Sequence, residues 1–378
     1  MVNKGTKCLG CTACAAVCPT RAIAMKPDRD GYTYPVIDGV LCVNCGACDR
    51  ACPLNGKSEN GFPMRAYAAQ HCDADVLAES ASGGLFTALS DAILARDGAI
   101  YGAAFDDAFR VVHIRTTTAD ERNRCRGSKY VASDLGDIFI RVKEDLEAGV
   151  PVLFTGTPCQ VDGLRHFLKK DYEGLYLCDL ICHGTPSPLA WQAHVQMLEK
   201  ANRSRMVSYS FRPKDWGWEV HNELSVFENG KRYHSNPRSV LFTTLYYSRL
   251  LHRRSCHQCP YSNLERVSDI TIADCRGMEK RTSEFVTRDG VSLVLVNSEK
   301  GAALLSEVSG TLLCQEIDVQ EFMQPPLRTP STENPARERF WQEFHKNGYW
   351  SAVKLIYGKH YVLKYRIKSL LQALGLRH

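Results

Sequence analysis

The chain has 378 residues, 44% apolar and 24% charged, the balance of a soluble globular protein with length enough for two or three domains. The net charge of +5 is uneven: residues 336–378 carry nine Lys and Arg against Glu338 and Glu343, so the remainder is near −2, which argues against a nucleic-acid binder. No stretch approaches the roughly 18 uninterrupted apolar residues of a membrane span, and 17 cysteines behind a start without an apolar signal region point to a reducing cytoplasm.

In chain order, the first feature is Cys8-x2-Cys11-x2-Cys14-x3-Cys18-Pro19, repeated 34 residues on as Cys42-x2-Cys45-x2-Cys48-x3-Cys52-Pro53. This spacing wraps three thiolates around one cubane and sends the fourth to its neighbour. It assigns Cys8, Cys11, Cys14 and Cys52 to one 4Fe-4S cluster, and Cys42, Cys45, Cys48 and Cys18 to another, close enough to exchange electrons. Structural zinc matches two blocks of four close-set thiols poorly, and disulfides need an exported chain. Of the other cysteines, nine remain: Cys72, Cys125, Cys159, Cys178, Cys182, Cys256, Cys259, Cys275 and Cys314. Within this unit (1–57), turn chemistry at 27–31 and 38–39 separates short apolar strands, and 57–61 reads as a polar linker.

Residues 62–149 open with a strand around 66–69. Ser82-Gly83-Gly84 then precedes Leu85, Ala88, Leu89, Ala92 and Ile93 at helical spacing. Bare amides at such a helix start favour a phosphate, though a Ser N-cap with two glycines also begins a helix that binds nothing. Strands are expected at 99–105 and 110–115, and Gly127-Ser128-Lys129-Tyr130 precedes a helix over 134–148. Lys129 reads as a phosphate contact or as a solvated lysine.

In residues 150–330, a strand at 150–154 turns through Gly156-Thr157-Pro158-Cys159-Gln160 into a helix reaching 168. The layout recurs as strand 174–181, turn Cys182-His183-Gly184 and helix 189–201. Such corners, outside the carboxyl ends of strands, are where α/β proteins take cofactors. Strands 206–211 and 219–227 bracket Trp216-Gly217-Trp218, which either walls an aromatic cofactor or caps a sheet edge. Cys256-x2-Cys259-Pro260-Tyr261 is ligand-like. With Cys159 and Cys182 it makes four thiolates, enough for a third cluster; the alternatives are a redox dithiol or two buried thiols. Strands follow at 269–273 and 291–296, and Pro325, Pro326, Pro330 and Pro335 mark the end of the folded body. The tail, 331–378, sets Ile356, Leu363, Ile367, Leu370 and Leu374 among basic residues, as a helix that lies on an anionic membrane, docks a partner or packs on its own domain.

Taken together, the doubled cysteine motif, Ser82-Gly83-Gly84, Gly127-Ser128-Lys129-Tyr130, Gly156-Thr157-Pro158-Cys159-Gln160 with Gly163-Leu164-Arg165, Cys182-His183-Gly184, Cys256-x2-Cys259-Pro260-Tyr261 and Ser268-Asp269-Ile270-Thr271-Ile272 resemble the beta subunits of coenzyme F420-reducing hydrogenase and F420-linked formate dehydrogenase. The flavin core is also similar to that of the plant reductase of hydroxymethyl chlorophyll. The resemblance, from Cys8 to about Val296, implies an α+β protein. A bacterial-ferredoxin-like domain with two 4Fe-4S clusters precedes an α/β flavin-binding core and a basic helical tail. It implies FAD contacted by Ser82, Gly83, Gly84, Ser128, Lys129, Gly156, Thr157 and Pro158. A core 4Fe-4S cluster is implied on Cys159, Cys182, Cys256 and Cys259.

Electrons are then expected to pass from the front clusters through the core cluster to FAD, and on to F420 or another small-molecule substrate. His183 is a candidate proton donor, or a histidine that orients its neighbours. Where family members often carry an aromatic pair, this chain has Cys275-Arg276-Gly277, so Arg276 would meet an anionic substrate if that stretch faces the flavin. Two further readings are an electron-transfer subunit that needs a redox partner protein or partner subunit, and a relative of bacterial proteins acting on cell-envelope polysaccharide intermediates.

Overall fold

A computed structural model describes residues 5–214, 217–218, 223–234, 237–278, 284–364 and 367. The front unit is an antiparallel hairpin, β1 (Ile23–Pro27) and β2 (Thr33–Ile37), with single-turn helices α1 (Ala13–Ala16) and α2 (Ala47–Arg50). Its turn is closed by Asp28, whose Oδ1 accepts from the amides of Asp30 and Tyr32.

Next come β3 (Arg65–His71), α3 (Ala74–Glu79), α4 (Leu85–Leu94), β4 (Ala99–Phe105), β5 (Val111–Thr116), α5 (Ala119–Asn123), α6 (Ile138–Glu147), β6 (Val152–Gly156), α7 (Pro158–Leu168), β7 (Leu175–Leu180) and α8 (Pro188–Asn202). The chain continues through β8 (Met206–Ser210), β9 (Leu224–Phe227), β10 (Arg232–His234), α9 (Leu241–Tyr247), β11 (Ile270–Asp274), β12 (Ser292–Val296), α10 (Glu299–Glu307), β13 (Leu312–Ile317), α11 (Arg337–Asn347) and α12 (Tyr349–Tyr357).

Eight strands make one mixed sheet in the order β13-β3-β12-β11-β7-β6-β4-β5, with β11, β7, β6 and β4 parallel at its centre. Both faces are covered. Val152 and Phe154 of β6 pack with α6 and α7, while Leu153 joins α4 and α10 on the other side. Burial from two sides explains why every residue of β12 is apolar or small and buried. A smaller antiparallel sheet, β10-β9-β8, forms a second lobe with α8, α9, α11 and α12 around Trp191 and Trp341.

Three expectations are corrected. The helix foreseen over 134–148 starts only at Ile138, because Asp134 pairs with β5, accepting from the His113 amide and donating to the Val111 carbonyl. The segment 57–61 is not a spacer but a docked strap. Lys57 Nζ donates to Glu265 O at 2.6 Å, and Asn60 Nδ2 donates to Ser268 O at 2.8 Å. The prolines from 325 to 335 do not end the body either, since Phe340 and Trp341 beyond them are fully buried in the second lobe. Of the apolar tail residues, Ile356 packs on that lobe and Leu363 and Ile367 are exposed. Leu370, Leu374, Trp216 and residues 219–222 lie outside the described residues. Among the described residues no helix is long and apolar enough to cross a membrane.

The front unit is bolted to the body through Arg253. Its Nε donates to Cys8 O at 2.7 Å, a second nitrogen donates to Thr33 O at 2.9 Å, and the guanidinium lies 4.2 Å from the Tyr34 ring centre. The Tyr32 hydroxyl donates to the Leu251 carbonyl, and Asp30 is caught between His345 at 2.9 Å and Arg337 at 3.5 Å.

The second lobe also buries Glu223, whose Oε1 accepts from the Thr243 amide at 3.2 Å. Burial pushes its carboxyl well above the usual range, so it is protonated when folded and ionised when unfolded. Its contribution is therefore full at acid pH and is lost as pH rises through the folded value. Glu223→Gln should gain on wild type in urea unfolding by about 1.4 kcal/mol per pH unit above the usual carboxylate range. The gain should level off once pH passes the folded value, and a difference that stays flat from pH 4 to 8 would refute this.

Candidate functional site

Two left-handed residues, Thr12 (φ 65) and Gly46 (φ 68), open α1 and α2 at equivalent places in the two repeats. Cys8, Cys11, Cys14 and Cys52 line one small hollow together with Leu9 and Met25. They are the four that spacing assigns to the first cluster. Cys18, Cys48 and Cys52 pack beside Cys14 and Ile23, so the two repeats interleave, with Cys42 half-buried and Cys45 exposed. Burial pushes the Cys11 and Cys14 thiols up, Cys14 to about 12, and neighbouring thiols add to the rise. A set like this is held as thiolates by a cationic centre. Among the described residues no group of three or more His, Cys, Asp or Glu closes on a single metal ion. The thiols instead surround a hollow, which suits a cubane, where each thiolate binds a different iron.

A second quartet gathers in the core. Cys159 lies in the first turn of α7, Cys182 follows β7, and Cys256 and Cys259 sit at a 3-10 turn over residues 254–258. Cys182 is within electrostatic reach of Cys159, Cys256 and Cys259. Each of the first three has a donor or hydroxyl at its sulfur. The Gly184 amide donates to Cys182 Sγ at 3.4 Å and the Thr185 amide to Cys256 Sγ at 3.4 Å, while Thr157 Oγ1 is 3.2 Å from Cys159 Sγ. Such bonds to sulfur tune an iron–sulfur cluster. One turn past Cys159, a Cβ on Gly163 would lie 2.8 Å from Cys11 Cβ and 2.9 Å from Cys11 Sγ. One helix therefore touches both cysteine sets.

Outside the carboxyl ends of β6, β7 and β11 lies a cavity of about 870 Å³, the size class of a cofactor pocket. Ser82, Gly84, Ser128, Lys129, Gly156 and Thr157 line it, as do Cys159, Cys182 and His183. Thr157 caps α7, its amide donating to Gln160 Oε1 at 2.9 Å, which leaves that helix start facing the cavity. Lys129 is half-buried, and the loss of water around its ammonium lowers it to about 8; Nζ donates to the carbonyls of Arg124 and Arg126 at 2.8 and 2.7 Å and so braces the loop. His183 is held below the usual imidazole range by burial and then by Arg276.

Gly83 and Pro158 lie behind the lining. The Gly83 amide donates to Ser292 Oγ at 3.0 Å, and a Cβ there would run into the Ala69 carbonyl, so the sheet requires this glycine. Pro158 opens α7 at its first position.

The lining also includes residues that no local pattern announced: His113, Asp179, Arg212, Tyr246 and Tyr247, with Tyr130 known only as part of a motif. His113 Nε2 is 3.0 Å from the Thr155 carbonyl and so carries the hydrogen there, which leaves Nδ1 as an acceptor. Among the described residues His113 Nδ1, Asp179 Oδ1 and Arg212 Nε have no hydrogen-bond partner although buried. Buried polar atoms without partners around one cavity fit a polar ligand such as FAD.

Residues 150–320 match the family described as the C terminus of the coenzyme F420 hydrogenase/dehydrogenase beta subunit, and residues 7–55 match a 4Fe-4S dicluster domain. No curated protein matches the chain. Among solved structures it is similar to a chain of the xenon-derivatised F420-reducing NiFe hydrogenase complex from Methanosarcina barkeri, at 18% identity over 79% of this chain and 92% of that one, with a TM-score of 0.44.

Proposed function

We propose that this chain, whose residues 150–320 match the C terminus of the coenzyme F420 hydrogenase/dehydrogenase beta subunit behind a 4Fe-4S dicluster domain, is an iron–sulfur flavoprotein oxidoreductase. In this reading two 4Fe-4S clusters sit in the front unit, a third on Cys159, Cys182, Cys256 and Cys259, and FAD in the cavity exchanges hydride with coenzyme F420 or another small molecule. Clusters pass electrons singly and the flavin takes them in pairs, so the cofactors supply the chemistry.

One juxtaposition carries the reading: within α7 and its leading turn, Gly156, Thr157, Cys159 and Gln160 line the cavity, Cys159 joins the core quartet and Gly163 touches Cys11 of the front quartet. The residues of the chain position and polarise. Within the first turn of α7 the Thr157 and Gln160 amides are bonded inside the cap and Pro158 has no N–H, so the Cys159 amide is the group offered to a phosphate oxygen there; Ser128 offers a hydroxyl, and His113 Nδ1 accepts from a ligand N–H or O–H. His183, in the same lining, is the candidate for holding a proton near the substrate.

A redox partner protein or partner subunit would meet the opposite end. There Cys45 is exposed, and Val40 and Val43 are 94% and 63% exposed, a small apolar face of the kind weak electron-transfer encounters use. The test is the chromophore released on denaturing anaerobically purified protein. FAD at about one per chain is expected; brown protein that releases no flavin would leave only the electron relay.

A further inference from the structure

We propose that the basic tail docks the chain on an anionic lipid bilayer, with Leu363, Ile367, Leu370 and Leu374 entering the headgroup region and the cations beside them meeting lipid phosphates. Residues 344–378 hold seven Lys and Arg and no Asp or Glu, a balance of +7 in a chain of +5, so all the rest comes to −2. Lys354, Lys359 and Lys364 are exposed, and among the described residues none of them pairs with a carboxylate. Cations gathered at one end of a protein and left in water are what a layer of anionic headgroups attracts.

The apolar residues of the tail fall on two faces. Gly358 caps α12 at φ 85, a conformation that favours glycine, and residues 361–364 and 367 beyond it are helical. Tyr361 is buried and meets Tyr357 with ring centres 5.4 Å apart, while Val362 packs on the second lobe, so one face of this turn is taken by the protein itself. Leu363 and Ile367 lie elsewhere on the turn and are 56% and 50% exposed. A helix that served only to pack on its own domain would not present a second apolar face to water.

In sequence that second face runs on. Leu363, Ile367, Leu370 and Leu374 follow the helical period, and by the same period Lys364 and Lys368 fall to one side of the stripe and Arg366 and Arg377 to the other. Long basic side chains flanking an apolar stripe reach phosphates while the stripe sits lower in the interface. Nucleic acid would take the cations and leave the stripe in water; a bilayer takes both. The contact is peripheral and reversible, because such a segment lies along the interface instead of crossing it.

Flotation of the full chain, purified anaerobically, on a density gradient tests this. Vesicles of phosphatidylcholine in which about a third of the lipid is phosphatidylglycerol should carry the protein upward, and vesicles of phosphatidylcholine alone should not. Leu363→Asp with Ile367→Asp should weaken binding by about tenfold or more, and Lys359→Gln with Lys364→Gln by about fivefold for each cation removed. All four positions are exposed, so iron content and urea unfolding should match wild type, which separates lost binding from a lost fold.

A wild-type chain that stays at the bottom with anionic vesicles would overturn the proposal and leave the tail to the acidic groove of a partner protein. Equal flotation with neutral vesicles would overturn it as well. So would flotation that Leu363→Asp with Ile367→Asp does not weaken, since charge alone would then account for the contact.

Discussion

Replacing Cys256 with Ser is expected to take the anaerobically purified chain from about twelve irons to about eight, with the front clusters untouched. The reason is geometric. Cys256 reaches the core quartet from a 3-10 turn, where the Thr185 amide donates to its sulfur. The front cysteines come from residues 8–52 on their own hairpin and helical turns, and the Arg253 bonds that dock them, made by the residue that caps that turn, do not involve the Cys256 side chain, so their iron is expected to stay. Iron analysis and cluster absorbance read the difference directly. A variant that keeps all its iron would show that Cys256 and Cys259 are not a ligand pair, and the cluster between front unit and cavity would have to go.

Gly163→Val is expected to disturb the connection at its front end, where it meets Cys11 of the first quartet, while the cavity is left as it is. A side chain at this point in α7 collides with Cys11, whose Cβ and Sγ lie 2.8 and 2.9 Å from the ideal Cβ position, and α7 is buried and cannot easily yield. Overpacking of this kind costs about 1–3 kcal/mol, and the element that gives is the front unit. Electrons delivered to the front clusters should then reach the flavin markedly more slowly in rapid-mixing experiments, while a two-electron donor that reduces the flavin directly is unaffected. Gly163→Ala should show a weaker form of the same defect. Wild-type transfer in Gly163→Val would mean that the contact between α7 and Cys11 does not lie on the electron route.

What could be read from the residues divides along a physical line. The dicluster front was legible because six of its eight cysteines are set by local spacing and the doubled motif supplies the exchange, and Cys8, Cys11, Cys14 and Cys52 do line one hollow. The strand–turn–helix corners were legible for the same reason: Gly156, Thr157 and Cys159 are neighbours in sequence and remain neighbours at the cavity. Gly83 misled because a glycine beside a helix start looks alike whether it admits a ligand or a neighbouring strand, and only the position of Ala69 decides. The strap at 57–61 has a linker's composition, and its anchors at residues 263–268 lie some two hundred residues away. His113, Asp179, Arg212, Tyr246 and Tyr247 come from β5, β7, the loop after β8 and α9, and no spacing rule joins positions that only the fold brings together.

The aromatic anchors of the last helices show the same limit from another side. Phe340, Trp341 and Tyr349 are buried while the basic periodicity beyond them drew attention to Leu363 and Ile367, which are exposed. Charge composition described that stretch correctly but said nothing about which of its apolar residues meet the second lobe.

The central claim is that three iron–sulfur clusters and a flavin share this chain, joined through α7. Iron and released chromophore, measured together on wild-type protein purified without oxygen, test it most directly. About twelve irons and about one FAD per chain are the predicted result. About eight irons with no flavin would contradict it, leaving a ferredoxin front attached to a cavity with some other occupant.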